Sequence, residues 1–558
     1  MTIKDIQKEL KINKQDARLI TLGNLFIGED IKETENKILK LTNFSGSSAL
    51  LFITQTKAYI FVDGRYELQA KKEVNLKQIE VIKTVDTPFA KWLKQTYLKS
   101  SPIITFNPWE ISELTLQNLK TTLPKATFLP SPNEPLNLDS TKTKTFVHPK
   151  KFSGLTSKEK IEKQVSYIKK KNLDAYLITS ASNSSWLLNM RSNALVYTPI
   201  FRAYVLVKKD GSYKIFANNT DLKEALPILS LKDHIKDIKK LGANFANMPA
   251  IIKDFNPNII NTPDIIDSLK PIKNKTELKG MIEAHIRDGV ALTKFLYWLS
   301  KNYSDKKELD ISEKLHQLRK KETNFYSESF ETISAFGPNG AIVHYHPSNA
   351  SNLTIKKGSL LLLDSGAQYY DGTTDVTRTI AIKKPTPEMI EKNTLVLKAH
   401  INLAFAYFEP ETTGSKLDIL ARNILYKHNL NYEHGTGHGV GCFSNVHEIS
   451  SPISIYSNTS TTLKKGMVTS IEPGFYKEKH FGIRIENLYY IDNLKNSKLL
   501  KFVPLTKVPL DKTLIDKNLL TKEEINWVNS YHNDVFKNLK KYLSKQELNW
   551  LKEATSPL

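Results

Sequence analysis

Apolar and polar positions along the chain change their period several times, and each change marks a different kind of element. Near the start, Ala49-Leu50-Leu51-Phe52-Ile53-Thr54 and Ala58-Tyr59-Ile60-Phe61-Val62 are short apolar runs, followed by the turn Asp63-Gly64-Arg65-Tyr66. Runs of that length closed by a turn predict strands. Further on, Ile161, Val165 and Ile168 recur at helical spacing, and Ala175-Tyr176-Leu177-Ile178 predicts a short buried strand. Asn274-Lys275-Thr276-Glu277 is a capping-box-like helix start. Leu278, Ile282 and Ile286 then make one helical face, continued by Leu292, Leu296 and Leu299. From Phe330 the pattern becomes strand and turn, with a helical stretch around residues 393–408. After residue 506 it is helical again, including Trp527-Val528-Asn529-Ser530-Tyr531-His532.

A chain of 558 residues is too long for one hydrophobic core. The changes of pattern divide it at residues 1–150, 151–271, 272–506 and 507–558. Pro130, Pro132 and Pro135, leading into the Ser/Thr/Lys-rich residues 140–145, predict a linker. The first two units look like relatives. In each a polar loop leads into apolar strands, Phe44-Ser45-Gly46-Ser47-Ser48-Ala49 in one and Met190-Arg191-Ser192-Asn193-Ala194 in the other.

Composition narrows the class. Apolar residues at 40% and charged residues at 25% describe a soluble globular protein. No stretch approaches the roughly 18 apolar residues of a membrane span. The start, Met1-Thr2-Ile3-Lys4-Asp5-Ile6, carries charge where a signal peptide needs an apolar centre. The single cysteine, Cys442, excludes an internal disulfide and fits a reducing compartment, so a cytoplasmic location is expected. Net charge is +22, yet residues 271–506 hold 30 Lys+Arg against 24 Asp+Glu, leaving +16 elsewhere. Much of that excess is lysine scattered along amphipathic segments, as at Lys169-Lys170-Lys171. A solvated face is expected there, not a specific nucleic-acid site.

The candidate chemistry lies late in the chain. Asp364 closes the run Leu360-Leu361-Leu362-Leu363, and Asp375 precedes Val376-Thr377-Arg378-Thr379-Ile380. The segment between them predicts a β-hairpin centred between Tyr369 and Tyr370, with the two aspartates roughly opposite each other. Like charges across a strand pair repel unless a cation sits between them. Glu472, ending Val468-Thr469-Ser470-Ile471, and Glu486, in Gly482-Ile483-Arg484-Ile485-Glu486-Asn487, repeat the pattern around Pro473–His480. His438 lies in His434-Gly435-Thr436-Gly437-His438-Gly439-Val440-Gly441. Four carboxylates with one imidazole suit Mn²⁺, Co²⁺ or Zn²⁺.

The Asp-x10-Asp spacing, the His-Gly-Thr-Gly-His-Gly-Val-Gly loop, Ile-Glu-Pro-Gly and Gly-Ile-Arg-Ile-Glu-Asn resemble the pita-bread metallopeptidases. Within that group the chain is most similar to the long, three-domain Xaa-Pro aminopeptidases (aminopeptidase P). The resemblance is dense from about Ser329 to Asn487 and looser before residue 150. It implies two related N-terminal α/β (creatinase-N-like) domains, a pita-bread α+β catalytic domain and a helical C-terminal tail linked to dimerisation. By the same resemblance Asp364, Asp375, His438, Glu472 and Glu486 hold two divalent ions, most simply Mn²⁺. Asp375 and Glu486 bridge the pair, and a hydroxide shared by the two ions attacks the scissile carbonyl. Glu472 handles the proton, His447 donates to the oxyanion, His344 contacts the proline side and helps the leaving nitrogen, and His434 shapes the same pocket. The substrate is a peptide with proline second.

Other residues keep two readings. Arg484 either orients a ligand carboxylate or forms an ordinary ion pair, and Arg65 lies either near a substrate entrance or in a structural turn. Asp371 is expected at the hairpin turn, His346 on the surface, and Cys442 as a small packed residue. Two other functions fit less well. A prolidase, cleaving Xaa-Pro dipeptides, is typically shorter, and a non-catalytic pita-bread module binding peptides or nucleic acid is expected to have lost ligands. Methionine aminopeptidase lacks the paired upstream domains, and creatine amidinohydrolase does without the metal ligands.

Overall fold

The computed structural model describes residues 1–97, 100–131, 142–457 and 460–558. Most of the linker expected around 130–145 therefore lies outside the described residues. Two compact units emerge: residues 1–148, 155–195 and 200–267 form one, and residues 149–154, 196–199 and 268–558 form the other.

The first unit holds two mixed sheets, and their topology explains the likeness seen in the sequence. In one, Ala58–Val62, Ala49–Thr54 and Ala17–Thr21 are antiparallel neighbours, and Ile103–Phe106 and Thr127–Pro130 continue in parallel. In the other, Tyr213–Phe216, Tyr204–Lys208 and Ala175–Ile178 are antiparallel, and Leu241–Ala243 and Ile260–Asn261 continue in parallel. The order and sense of five strands are thus the same twice. The first sheet adds Ile79–Lys83 at its edge. Each first strand follows an amphipathic helix opened by a threonine capping box, Thr2 before Ile3–Ile12 and Thr156 before Ser157–Lys170. Arg191 does not simply sit in a loop. Met190–Ser192 pairs with Thr145–Val147 as a separate ribbon.

The second unit starts with the helix Lys275–Asn302. Asn274 Oδ1 accepts the N–H groups of Thr276 and Glu277 at 2.9 and 3.1 Å, as the capping pattern required. Its deepest face is Met281, Ala284, His285 and Asp288, while the expected stripe Leu278, Ile282 and Ile286 is half-buried on its flank. The face shifts because a hairpin tip packs there. A Cβ on Gly280 would lie 2.2 Å from the Asp371 carbonyl oxygen, and one on Gly372 would lie 2.8 Å from Ala284.

Several small sheets follow. Leu360–Ser365 is the centre of one, between Ile333–Phe336 and Val376–Ala381. A six-stranded sheet runs Tyr407–Phe408, Leu500–Pro504, Asn487–Asn493, Val468–Ile471, Gly437–Gly439, Glu448–Ile453. The helix expected around 393–408 spans Pro387–Ala404 instead. Thr386 caps it and Pro387 takes the first turn, where its missing N–H costs nothing. Tyr407–Phe408 is already a strand.

After residue 506 the chain forms two helices, Lys522–Leu539 and Lys545–Ala554. Their Val528, Tyr531, Val535, Leu539 and Leu551 belong to the same buried core as Leu395, Ile471 and Ile483. The tail is thus packed into the second unit. Among the described residues no helix is long and apolar enough to cross a membrane.

Gly482 makes the tightest approach. A Cβ there would fall 1.7 Å from the Gly340 carbonyl oxygen. Gly482→Ala is therefore expected to lower stability by about 1–3 kcal/mol through overpacking, measured by thermal or urea unfolding. An unchanged midpoint would show that the Gly337–Ala341 turn yields freely.

Candidate metal centre

The first hairpin runs in one register throughout. Leu360–Ser365 pairs with Val376–Ala381 so that Asp364 faces Thr377, and Tyr369 faces Gly372 at the far end. The turn is therefore Tyr370-Asp371, not Tyr369-Tyr370, and Asp375 lies two residues along from the position opposite Asp364. This corrects the symmetric pairing expected from the midpoint. An offset of two leaves the side chain on the same side of the ribbon, so both aspartates still share a face. Gly366 allows the hairpin to cross between sheets there, since a Cβ would meet the Thr374 carbonyl oxygen at 2.0 Å and Ser329 Oγ at 2.2 Å.

The second hairpin matches expectation. Val468–Ile471 with Asn487–Asn493, and Gly474–Lys477 with Phe481–Arg484, share one register on either side of Glu472 and Glu486. Continued across the gap, that register sets the two glutamates opposite each other. His438 arrives on Gly437–Gly439, where its N–H donates to Ser470 Oγ at 2.9 Å and Glu472 N–H donates to the Thr436 carbonyl at 2.8 Å. The strand can lie this close because Gly437 has no side chain; a Cβ would sit 2.0 Å from the Ser470 carbonyl oxygen.

Four of the five residues meet directly, and Asp364 lies near enough for its charge to bear on Asp375 and Glu486. One ligand atom each from Asp375, His438 and Glu486 lie within 4.8 Å of one another. His438 Nε2 is 3.4 Å from Asp375 Oδ2 and 3.4 Å from Glu472 Oε1. Asp364, Asp375 and Glu486 are buried, and Glu472 and His438 are half-buried. Burial, then the charges of Asp364 and Glu472, hold the Asp375 carboxyl well above its ordinary value. Burial, then Asp375, Glu472 and Asp364, do the same to Glu486.

Three of the cluster's carboxylate oxygens are buried with no hydrogen-bond donor: Asp364 Oδ1, Asp375 Oδ1 and Glu486 Oε1. Buried polar atoms are rarely left so. Divalent cations would satisfy these oxygens and offset the repulsion, and the oxygen-rich donor set with one imidazole fits Mn²⁺, Co²⁺ or Zn²⁺. The residues fit a metal site.

Their other oxygens are fixed by neighbours. Thr377 Oγ1 donates to Glu486 Oε2 at 2.8 Å and Ser470 Oγ donates to Glu472 Oε1 at 2.9 Å. Arg484 Nη2 donates to Asp364 Oδ2 at 2.6 Å, and its Nη1 reaches Tyr476 Oη at 2.8 Å. Of its two readings, orientation of a carboxylate in the cluster is the one the geometry supports. Tyr476 Oη lies 2.9 Å from His434 Nε2, and burial pushes the phenol up to about 12. Nothing in the sequence singled out Tyr476, because Pro473–His480 was expected to be a turn. In fact Gly474–Lys477 is a strand.

The three further histidines surround this cluster. His447 is exposed and stands edge-on to the His438 ring, centroids 4.5 Å apart. His434 is buried beside Tyr432, ring centroids 4.8 Å apart. His344 follows Val343, whose carbonyl accepts from Arg484 Nη1 at 3.3 Å. Its loop is pinned by Glu308, which accepts the N–H groups of Phe336 and Leu353 at 2.7 and 2.8 Å and the Tyr345 hydroxyl at 2.8 Å. Glu308 also escaped the sequence, being an ordinary first-turn acid by pattern. His346 is exposed and pairs with Glu331 at 3.5 Å.

Asp371 is at the turn, ion-paired to Arg287. Cys442 is buried among Met281, Val440 and Val468. Arg65 forks onto its own Asp63 at 2.9 and 2.7 Å, a local turn in the first unit.

A carboxyl that holds its proton more tightly when folded than when unfolded weakens the fold as pH climbs from its ordinary value through the raised one. With chelator present, the unfolding midpoint should fall as pH rises from about 5 to about 8. The Asp375→Asn, Glu486→Gln double variant should lose most of that slope. An equally steep fall in the variant would place the destabilising charge elsewhere.

Comparison with known proteins agrees with this geometry. Residues 279–493 match the model of metallopeptidase family M24, and residues 498–558 match the C-terminal region of peptidase M24. Residues 3–137 and 137–277 each match a creatinase/prolidase N-terminal domain. A probable Xaa-Pro aminopeptidase P of Sordaria macrospora is 33% identical over 97% of this chain and 95% of its own. Xaa-Pro aminopeptidase 1 of Dictyostelium discoideum is 32% identical over 89% of this chain and 86% of its own. Among solved structures, the X-prolyl aminopeptidase of Caenorhabditis elegans, described as a cytosolic enzyme with a di-nuclear active site, superimposes with a TM-score of 0.92 at 31% identity, covering 98% of this chain and 95% of that one. The prolidase of Pyrococcus horikoshii reaches 0.51 at 26% identity and covers 63% of this chain and 99% of its own. With the carboxylate–imidazole cluster in place and relatives aligned nearly end to end, the chain belongs to metallopeptidase family M24, in the form that carries two creatinase/prolidase-type N-terminal domains.

Proposed function

We propose that this metallopeptidase is a Xaa-Pro aminopeptidase, removing the first residue from peptides whose second residue is proline. One observation carries the proposal. Three buried carboxylate oxygens without donors belong to an acidic cluster that includes one imidazole, beside histidines that suit a peptide carbonyl, on a chain whose aminopeptidase relatives align over nearly its whole length. The prolidase neighbour accounts for only 63% of it.

In this account Asp364, Asp375, His438, Glu472 and Glu486 would hold two divalent ions, with Mn²⁺ the metal expected. When bound, such a pair supplies Lewis acidity for the scissile carbonyl and acidifies the attacking water. Glu472, held by Ser470 on one oxygen, takes the proton from that water and passes it to the departing proline nitrogen. His447 donates to the oxygen of the tetrahedral centre. His344 and His434 line the proline side, where the tertiary amide offers no N–H and the ring needs an apolar wall. The division at residues 150, 271 and 506, a homodimer through the C-terminal tail, and a cytoplasmic location belong to the same proposal. The C. elegans neighbour is described as cytosolic.

Mn²⁺-loaded protein given Arg-Pro-Pro, the dipeptide Ala-Pro and a Met-Ala peptide side by side should release arginine from the tripeptide alone, and Asp375→Ala should abolish release. Cleavage of Ala-Pro alone would make the protein a prolidase. No cleavage with Mn²⁺, Co²⁺ or Zn²⁺ would favour a non-catalytic binding module. His447→Ala should lower kcat by about 10²–10³-fold with a smaller change in KM, as loss of an oxyanion donor does; an unchanged kcat would remove it from that role.

A further inference from the structure

Arg378 lies one residue beyond Thr377, the hydroxyl donor to Glu486, and is 2% exposed. A buried guanidinium ordinarily faces a carboxylate. Among the described residues, every acceptor this one meets is neutral. Nη1 donates to the carbonyls of Thr377 and Glu486 at 2.9 and 2.7 Å. Nη2 donates to Asn487 Oδ1 at 2.8 Å, the Val508 carbonyl at 2.7 Å and Tyr531 Oη at 2.7 Å. Nε donates to the Pro509 carbonyl at 3.1 Å.

The two ends of that fork belong to different parts of the chain. Thr377 and Glu486 lie on the two hairpins that carry the carboxylate cluster. Val508, Pro509 and Tyr531 come from the segment after the last strand and from the helix Lys522–Leu539. That segment is itself tied down by the same helix. Tyr531 Oη donates to the Val508 carbonyl at 2.7 Å, and the Leu510 N–H donates to His532 Nε2 at 3.1 Å. Both Tyr531 and His532 are buried. One guanidinium therefore ties both hairpins to the tail, beside the direct bond from the Glu486 N–H to the Thr377 carbonyl at 3.2 Å, and the tail fixes the guanidinium.

We propose that Arg378, locked by Tyr531 of the C-terminal helix, is a positioning residue for the metal site: the tail sets the spacing between Thr377 and Glu486 and so the affinity for divalent ions. The proposal rests on the five-residue metal site described above. The tail's packing reaches the cluster through the backbone carbonyls of Thr377 and Glu486 and not through a ligand side chain. A planar fork with five N–H donors, one of them on Nη2 shared between two acceptors, can span all of these at once, whereas a lysine ammonium offers one point of attachment.

The test titrates Mn²⁺ alone into the chelated full-length protein by isothermal calorimetry and records the unfolding midpoint in parallel. Three variants are compared: Arg378→Lys, Tyr531→Phe, and Leu551→Ala, which opens the tail core without touching Arg378. Arg378→Lys should weaken Mn²⁺ binding by about 10- to 100-fold, the usual range for a residue that orients ligands, and Tyr531→Phe should weaken it in the same direction. Leu551→Ala should lower the midpoint and leave Mn²⁺ affinity within about twofold, far below the 10-fold expected of an orienting residue. If Arg378→Lys does not fold, Tyr531→Phe decides. Unchanged affinity in the folded Arg378 or Tyr531 variants would overturn the proposal. So would an equal loss in all three, because affinity would then follow stability alone. Failure of the parent protein to bind Mn²⁺ would instead overturn the metal-site proposal itself.

Discussion

Mutual repulsion among Asp364, Asp375, Glu472 and Glu486 is the constraint around which the catalytic unit is arranged. Two of these carboxyls are held far above their ordinary values by burial and by one another, and three of their oxygens have no donor. No domain gathers such groups without something to offset them, since an unpaired buried charge costs several kcal/mol. Protein donors answer part of the demand: Arg484 on Asp364, Thr377 on Glu486 and Ser470 on Glu472. The remaining oxygens have no protein donor, a demand that cations would meet.

Bringing four strands and a loop to one point demands close backbone approach, and glycine supplies it at chosen places. Gly366 lets one hairpin pass between sheets, and Gly437 lets the His438 strand lie against Ser470. The helix Lys275–Asn302 gives up side chains at Gly280 for the hairpin tip. The periphery is then built to hold these contacts still. Glu308 gathers the backbone of the His344 loop, and Arg378 joins both hairpins to the tail. Chemistry on the cluster and packing far from it are thus parts of one arrangement.

How much of this could be read from the chain differs by kind of signal. Apolar runs and caps are local, so Ala49–Thr54, Ala58–Val62, Ala175–Ile178 and the Asn274 cap appear where the pattern put them. The candidate ligands could be picked out because acid-bearing hairpins recur at fixed spacing with a glycine-rich histidine loop. Hairpin register was less so. A midpoint count ignores where the turn residues fall, and Asp371 rather than Tyr370 closes the first turn. Tyr476, Glu308 and Arg378 were invisible for a different reason. Each acts through partners far along the chain, such as His434, Leu353 and Tyr531, and no local pattern records a partner that distant. The deepest face of the helix Lys275–Asn302 follows the same rule, since a packed hairpin tip chose it and not the strongest apolar stripe.

A count of bound metal goes to the heart of this account. Purified protein, stripped with chelator and dialysed against Mn²⁺, should take up two ions per chain by elemental analysis, and the Asp375→Ala variant should lose both if that carboxylate serves the two ions as proposed. Stoichiometric uptake of no ion, or two ions retained by the variant, would contradict it.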